Sequence, residues 1–167
     1  RLDIETDAAV KGALAATIGR LPYRDPAAIA AAEEAILSTL GPAGALERPA
    51  LPSVLGAARG AESLLRLHAR AATPSAGLIE RLKALLATRP GQAWDPTSVE
   101  SAAAVRRLAL AALTAANRAD AAALESAAAD PDNQVRRLAL AGFGGRAPSV
   151  VPAPIVAKLV RRGPRDP

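Results

Sequence analysis

An all-α solenoid is the fold class this 167-residue sequence predicts, and three observations predict it. First, one phrase is written twice. Val105-Arg106-Arg107-Leu108-Ala109-Leu110-Ala111-Ala112-Leu113 returns 30 positions later (135 − 105) as Val135-Arg136-Arg137-Leu138-Ala139-Leu140-Ala141-Gly142-Phe143, with seven of the nine residues identical. Self-similarity at a period of about 20–50 residues marks an array of repeated helical units. Second, half the residues are apolar, yet Tyr23, Trp94 and Phe143 are the only aromatics and Ala supplies much of the rest. Small side chains let helices approach closely, whereas a β-sandwich wants β-branched and aromatic residues. Third, apolar residues recur at helical spacing between Asp-Pro, Thr-Pro and Gly punctuation, and no stretch alternates convincingly as a strand.

The elements follow in order. Residues 5–19 form a third, more diverged copy of the repeated phrase: Asp7 falls on Asp132, Val10 on Val135, Lys11 on Arg136, Ile18 on Phe143 and Gly19 on Gly144. Asp7 and Asp132 stand where a carboxylate caps free N–H groups, and the two glycines where a helix ends. Asp25-Pro26 opens the next helix with Pro at its first position, Ile29, Glu33, Ile36, Leu37 and Leu40 follow, and Gly41-Pro42 stops it. Residues 41–52, rich in Gly and Pro, read as the longest loop. A helix from Ser53 to about Ala72 presents Val54, Leu55, Leu64, Leu65 and Leu67; Gly56 and Gly60 weaken its first turns, so a later start is expected. Thr73-Pro74-Ser75 begins a helix whose Leu78, Ile79, Leu82, Leu85 and Leu86 keep i, i+3, i+4, i+7 spacing, and Arg89-Pro90-Gly91 breaks it. After a loop containing Trp94 come helices at about 98–116, 119–129 and 132–143, and Pro148 and Pro152 set off a last one at about 153–162. Since the chain starts at Arg1 and closes on Asp166-Pro167, another repeat-opening pair, it is expected to be one repeat domain spanning 1–167, cut from a longer array.

Composition narrows the functional classes. The chain has no Cys, which removes disulfides and thiolate metal sites and leaves the redox compartment open, and its single histidine, His68, excludes a poly-His metal site. No apolar run reaches the roughly 18–20 residues of a membrane span. Basic residues exceed acidic ones by 21 to 16. The excess sits towards the C-terminus and is too mild for a dedicated basic tail.

The stretch Asp130-Pro131-Asp132-Asn133-Gln134-Val135-Arg136-Arg137-Leu138-Ala139-Leu140-Ala141 resembles the second-helix signature of HEAT repeats, a turn with Asp followed by Val-Arg and an Ala/Leu stripe. The pattern covers residues 7–19 and, less fully, 98–113, where Ser101 replaces the Asp. The resemblance implies about seven helices in antiparallel hairpins stacked as a right-handed α-α superhelix, with second helices lining its concave face. A narrower resemblance covers Val10 to Arg24, which is similar to stretches of large bacterial proteins joining HEAT arrays to a cyclophilin-type peptidyl-prolyl isomerase domain. None of that enzyme's active-site sequence is present; the linkage implies a regulatory or substrate-presenting segment whose catalysis lies outside these residues.

The candidate residues are polar positions of the repeated helices. Asp7 with Lys11, and Asp132 with Arg136, are four apart and therefore share a helix face, which predicts a structural ladder of ion pairs. Arg106, Arg107, Arg136 and Arg137 are expected to face away from a core of Val105, Leu108, Ala109 and Ala112, and so to contact a partner. Such doublets, with Arg161-Arg162, also suit phosphates, but the aromatic platforms of a nucleic-acid groove are missing and acidic residues are interspersed. His68 reads as a helix-face residue, Trp94 as a plug between repeats, and Glu33-Glu34 as solvated face. No residue is picked out as catalytic, cofactor-binding or metal-ligating. The expected function is a non-catalytic scaffold for a protein or peptide partner, ahead of a nucleic-acid-binding solenoid.

Overall fold

The computed structural model describes residues 4–41, 50–88, 99–144 and 153. Among them lie seven helices and no strand: α1 (Ala8–Ile18), α2 (Pro26–Leu40), α3 (Leu51–His68), α4 (Ala76–Leu86), α5 (Val99–Ala115), α6 (Ala121–Ala128) and α7 (Asn133–Gly144). Trp94, Arg161-Arg162, residues 154–162 of the helix expected at about 153–162 and the closing Asp166-Pro167 lie outside the described segments.

Caps written in the sequence begin most helices. The Asp7 carboxylate accepts from Ala9 and Val10 N–H, Asp25 from Ala27 ahead of Pro26, and the Ser75 hydroxyl from Leu78. Asp120 accepts from Ala123, and Asp132 from Gln134 and Val135. Each satisfies donors that the first turn of a helix leaves unpaired. Among the described residues two take positive φ, both at helix ends. Gly41 (68°) closes α2, and Asn117 (54°) closes α5 while Arg118 N–H reaches back to the Leu113 carbonyl and Asn117 N–H to that of Thr114. That pair of bonds is a Schellman motif.

Packing sorts the helices into two rows. α2 pairs with α3, α4 with α5, and α6 with α7, while α1 stacks on α3, α3 on α5 and α5 on α7. Direction follows from the cross-links. Ser53 Oγ donates to the Ala8 carbonyl, and Gly60 sits against Ala15, so α1 and α3 run parallel. The even row is tied likewise: Glu33 Oε1 accepts from Ser75 N–H, and Arg81 donates through Nε and Nη2 to the Leu40 carbonyl, capping the end of α2 from α4. A continuous core runs between the rows, from Ile36, Leu40 and Leu64 through Leu78, Leu82 and Leu110 to Leu113, Leu124 and Val135.

The α1–α3 contact is made backbone to backbone. A Cβ on Gly56 would come within 3.0 Å of the Gly12 carbonyl, one on Gly60 equally close to the Ala15 carbonyl, and ones on Gly12 and Gly19 close to Pro52 and Gly60. Here glycine is required by proximity, which outweighs its propensity cost. The helix therefore starts at Leu51, ahead of the glycines expected to delay it. Other expectations at this end are corrected too. Leu67 is exposed, not core, and Val10 and Leu14, aligned with fully buried Val135 and Ala139, remain 45% and 40% exposed. α1 turns its Gly12–Ala15–Gly19 side to α3, which rotates Val10 and Leu14 outwards.

Candidate partner-binding face

The odd-numbered helices present their free side to solvent because each is held on its other sides. α3 has α1 and α5 as flanks and α2 behind, and beside exposed Leu67 it keeps an outward line of Leu55, Arg59, Glu62, Arg66 and, past the helix end, Arg70. These positions recur at i, i+4, i+7, i+11 and i+15, one line along a 3.6-residue helix. On α5 the outward residues are Ala104, Arg107, Leu108, Ala111 and Ala115; on α7 they are Gln134, Arg137, Leu138 and Ala141. The repeated phrase thus places Arg107 and Arg137 at equivalent outward positions.

Arg106 does not belong to this face. It is 2% exposed, and its guanidinium makes a two-pronged ion pair with Asp130, Nε to Oδ2 at 2.8 Å and Nη2 to Oδ1 at 2.9 Å. Its Nη1 is buried without an acceptor. The correction has a geometric reason. Arg106 stands 100° round the helix from Val105, and the α6–α7 turn covers that side of α5, so the buried arc is wider than the apolar residues alone mark out. Arg136 is half-buried and donates through Nη1 to the carbonyls of Asp130 (2.9 Å) and Pro131 (2.8 Å). The turn before α7 is consequently gripped from both sides, with Asp130 Oδ1 also accepting from Asp132 N–H.

The expected ladder is built differently as well. Among the described residues no ion pair joins Asp7 to Lys11 or Asp132 to Arg136; both carboxylates are occupied by their own helix starts. Links between units come instead from Arg106 to Asp130 and from Lys83 to Asp120 at 3.0 Å. The hydrogen bond and charge of Asp120, aided by Glu80, raise the Lys83 pKa above its ordinary value. Glu33, expected on a solvated face, is buried and spends its carboxylate on α4, while its neighbour Glu34 is exposed. His68 is buried at the end of α3 and donates from Nε2 to the Leu21 carbonyl at 3.0 Å, its ring 5.7 Å from that of Tyr23. The Tyr23 hydroxyl donates to the Ile18 carbonyl, and burial raises its pKa. These residues fasten the turn after α1 onto α3.

Charge is divided between the rows. The odd-numbered helices contain seven basic residues and two acidic ones, the even-numbered helices two basic and four acidic. Exposed carboxylates of the even row (Glu34, Glu80, Glu125) therefore face away from the open arginines of the odd row. Among the described residues Arg59, Arg107 and Arg137 have no hydrogen-bonded or ion-paired acceptor, and Arg66 shares Glu62 at 2.9 Å. No helix among them is long and apolar enough to cross a membrane, and no three His, Cys, Asp or Glu side chains gather into a group able to hold a metal. No protein-family model matches the chain, nor does any curated protein or solved structure.

Proposed function

We propose that this chain is a non-catalytic scaffold of HEAT-like hairpins that binds a protein partner on the face of its odd-numbered helices. In this reading the rows curve into a right-handed superhelix, and α1, α3, α5 and α7 line its concave side. The observation that supports it is the division of charge: arginines without acceptors stand on one row, and exposed carboxylates on the other. Unpaired arginines on a rigid repeat array suit recognition, since their planar forks bind carboxylates with little loss of order. Parallel helices repeat the same side chain at a fixed spacing, which favours an extended partner lying across them.

A pull-down with the full chain tests this, comparing wild type with Arg107→Glu plus Arg137→Glu. Circular dichroism controls for folding: Arg137 is exposed and Arg107 half-buried, and neither belongs to the core. The expected outcome is a fully helical variant that loses the partners recovered by wild type. Identical partner sets from both proteins would remove the face from consideration.

A further inference from the structure

The open face carries more than charge. Three of its four helices carry on the outward line an arginine without a described acceptor and a leucine near it: exposed Arg59 with half-buried Leu55 on α3, half-buried Arg107 and Leu108 on α5, and exposed Arg137 and Leu138 on α7. Resting on the partner-binding reading above, we infer that the occupant is an acidic, extended peptide segment running across α3, α5 and α7, with a carboxylate at every third residue and apolar residues between.

The spacing argues for this. Packed helices lie about 8–10 Å apart. A polyproline II chain rises about 3.1 Å per residue with three residues per turn, so every third side chain returns to the same side after about 9 Å. One carboxylate per helix therefore meets one arginine per helix without stretching the peptide. An α-helical partner matches less well, because its same-side period of about 5.4 Å puts two side chains where one arginine stands. Charge complementarity sets the sign. The odd-numbered helices offer seven cations against two carboxylates, of which Glu62 already belongs to Arg66.

The leucines separate a peptide from a nucleic acid. Phosphate and sugar gain nothing from Leu55, Leu108 and Leu138, whereas an apolar side chain between two acidic ones is buried there. Single strands also need aromatic rings to stack on. Among the described residues the aromatics are Tyr23 and Phe143; Phe143 is buried in the core and the Tyr23 hydroxyl is tied to Ile18.

Fluorescence anisotropy on the full chain decides the matter, using four labelled probes. Three are twelve-residue peptides: Glu at every third position with Leu and Ser between, the same composition with the Glu residues clustered, and the first with Gln for Glu. The fourth is an oligothymidylate of matching charge. The expected result is tightest binding of the periodic acidic peptide, at least tenfold over the clustered and Gln versions, and a loss of at least tenfold with Arg107→Glu plus Arg137→Glu. Equal affinity for periodic and clustered peptides overturns the spacing, and tighter binding of the oligonucleotide overturns the peptide. If no peptide binds while the same double variant still loses its pull-down partners, the acidic chemistry is wrong and the face remains a binding surface. If neither assay responds to the variant, the face itself is wrong.

Discussion

Arg106 and Arg107 are neighbours in the chain with opposite fates. One hundred degrees of helix rotation carries Arg106 under the α6–α7 turn and leaves Arg107 at the solvent edge. Burying a guanidinium is costly unless a carboxylate meets it with good geometry, and Asp130 does so with two parallel bonds. Removing one partner strands the other. Arg106→Met is therefore expected to lower unfolding free energy by about 3–5 kcal/mol, and Asp130→Ala by a similar amount. Arg106→Met with Asp130→Leu together is expected to recover most of that loss, since an apolar pair leaves no charge stranded. Urea denaturation of the three variants checks it; an additive double mutant would show that the pair is not the source. No such cost attaches to Arg107. The sequence could not separate the two arginines, because the apolar residues mark the centre of a buried arc and not its width. Width depends on what packs alongside, here a turn 24 residues further on. Glu33 misleads for the same reason: its partner is the backbone of Ser75, and backbone groups have no sequence signature.

At the scale of the helices, local signals were legible wherever one residue does the work. Asp7, Asp25, Ser75 and Asp132 start helices by capping, and Gly41 ends one, because those roles need only a short side chain or a permitted φ. The glycines of α3 were read with the wrong sign. Propensity counts Gly56 and Gly60 against a helix, but contact with α1 makes their missing side chains the condition for docking. Gly60→Ala gains about 1 kcal/mol in helix propensity and loses about 1–3 kcal/mol to overpacking. The clash is with backbone, so no rotamer change relieves it, and a net loss of stability is expected. Gly77→Ala serves as the contrast. Its Cβ would meet the end of the Leu37 side chain at 3.2 Å, which can shift, so that variant is expected to gain up to about 1 kcal/mol. Thermal melts followed by circular dichroism distinguish the cases; equal shifts would mean that the close approach of α1 and α3 is not limiting.

For the whole molecule, helices stacked on their neighbours in two rows make stability a sum of local terms, as nearest-neighbour packing does in repeat arrays. The α1–α3 contact and the Arg106–Asp130 pair share no residue and involve different helices. Combining Gly60→Ala with Arg106→Met is therefore expected to give the sum of the two losses within about 0.5 kcal/mol. A larger departure in chemical denaturation would mean that the two ends communicate through the core. The helical class was legible because period and punctuation encode it directly, and the pairing of adjacent helices was expected from the resemblance alone. The division of charge between rows was not, since it appears only once alternate helices are known to share a side. Arg107 and Arg137 were picked out by their repeated position, whereas Arg59 was not, because α3 lacks the repeated phrase; Leu55 and Leu108, expected in the core, are half-buried on the outward line.

The fastening of the turn after α1 has a spectroscopic consequence. With a single histidine in the chain, imidazole resonances arise from one ring, and that ring is held by the Leu21 carbonyl beside Tyr23. Its Nε2 must carry the proton, because a carbonyl oxygen only accepts. Lifting α1 from α3 would at once break that bond, remove the ring current of the tyrosine and release the tautomer. One pair of carbon-bound ring proton signals thus follows the docking of α1 with no label introduced.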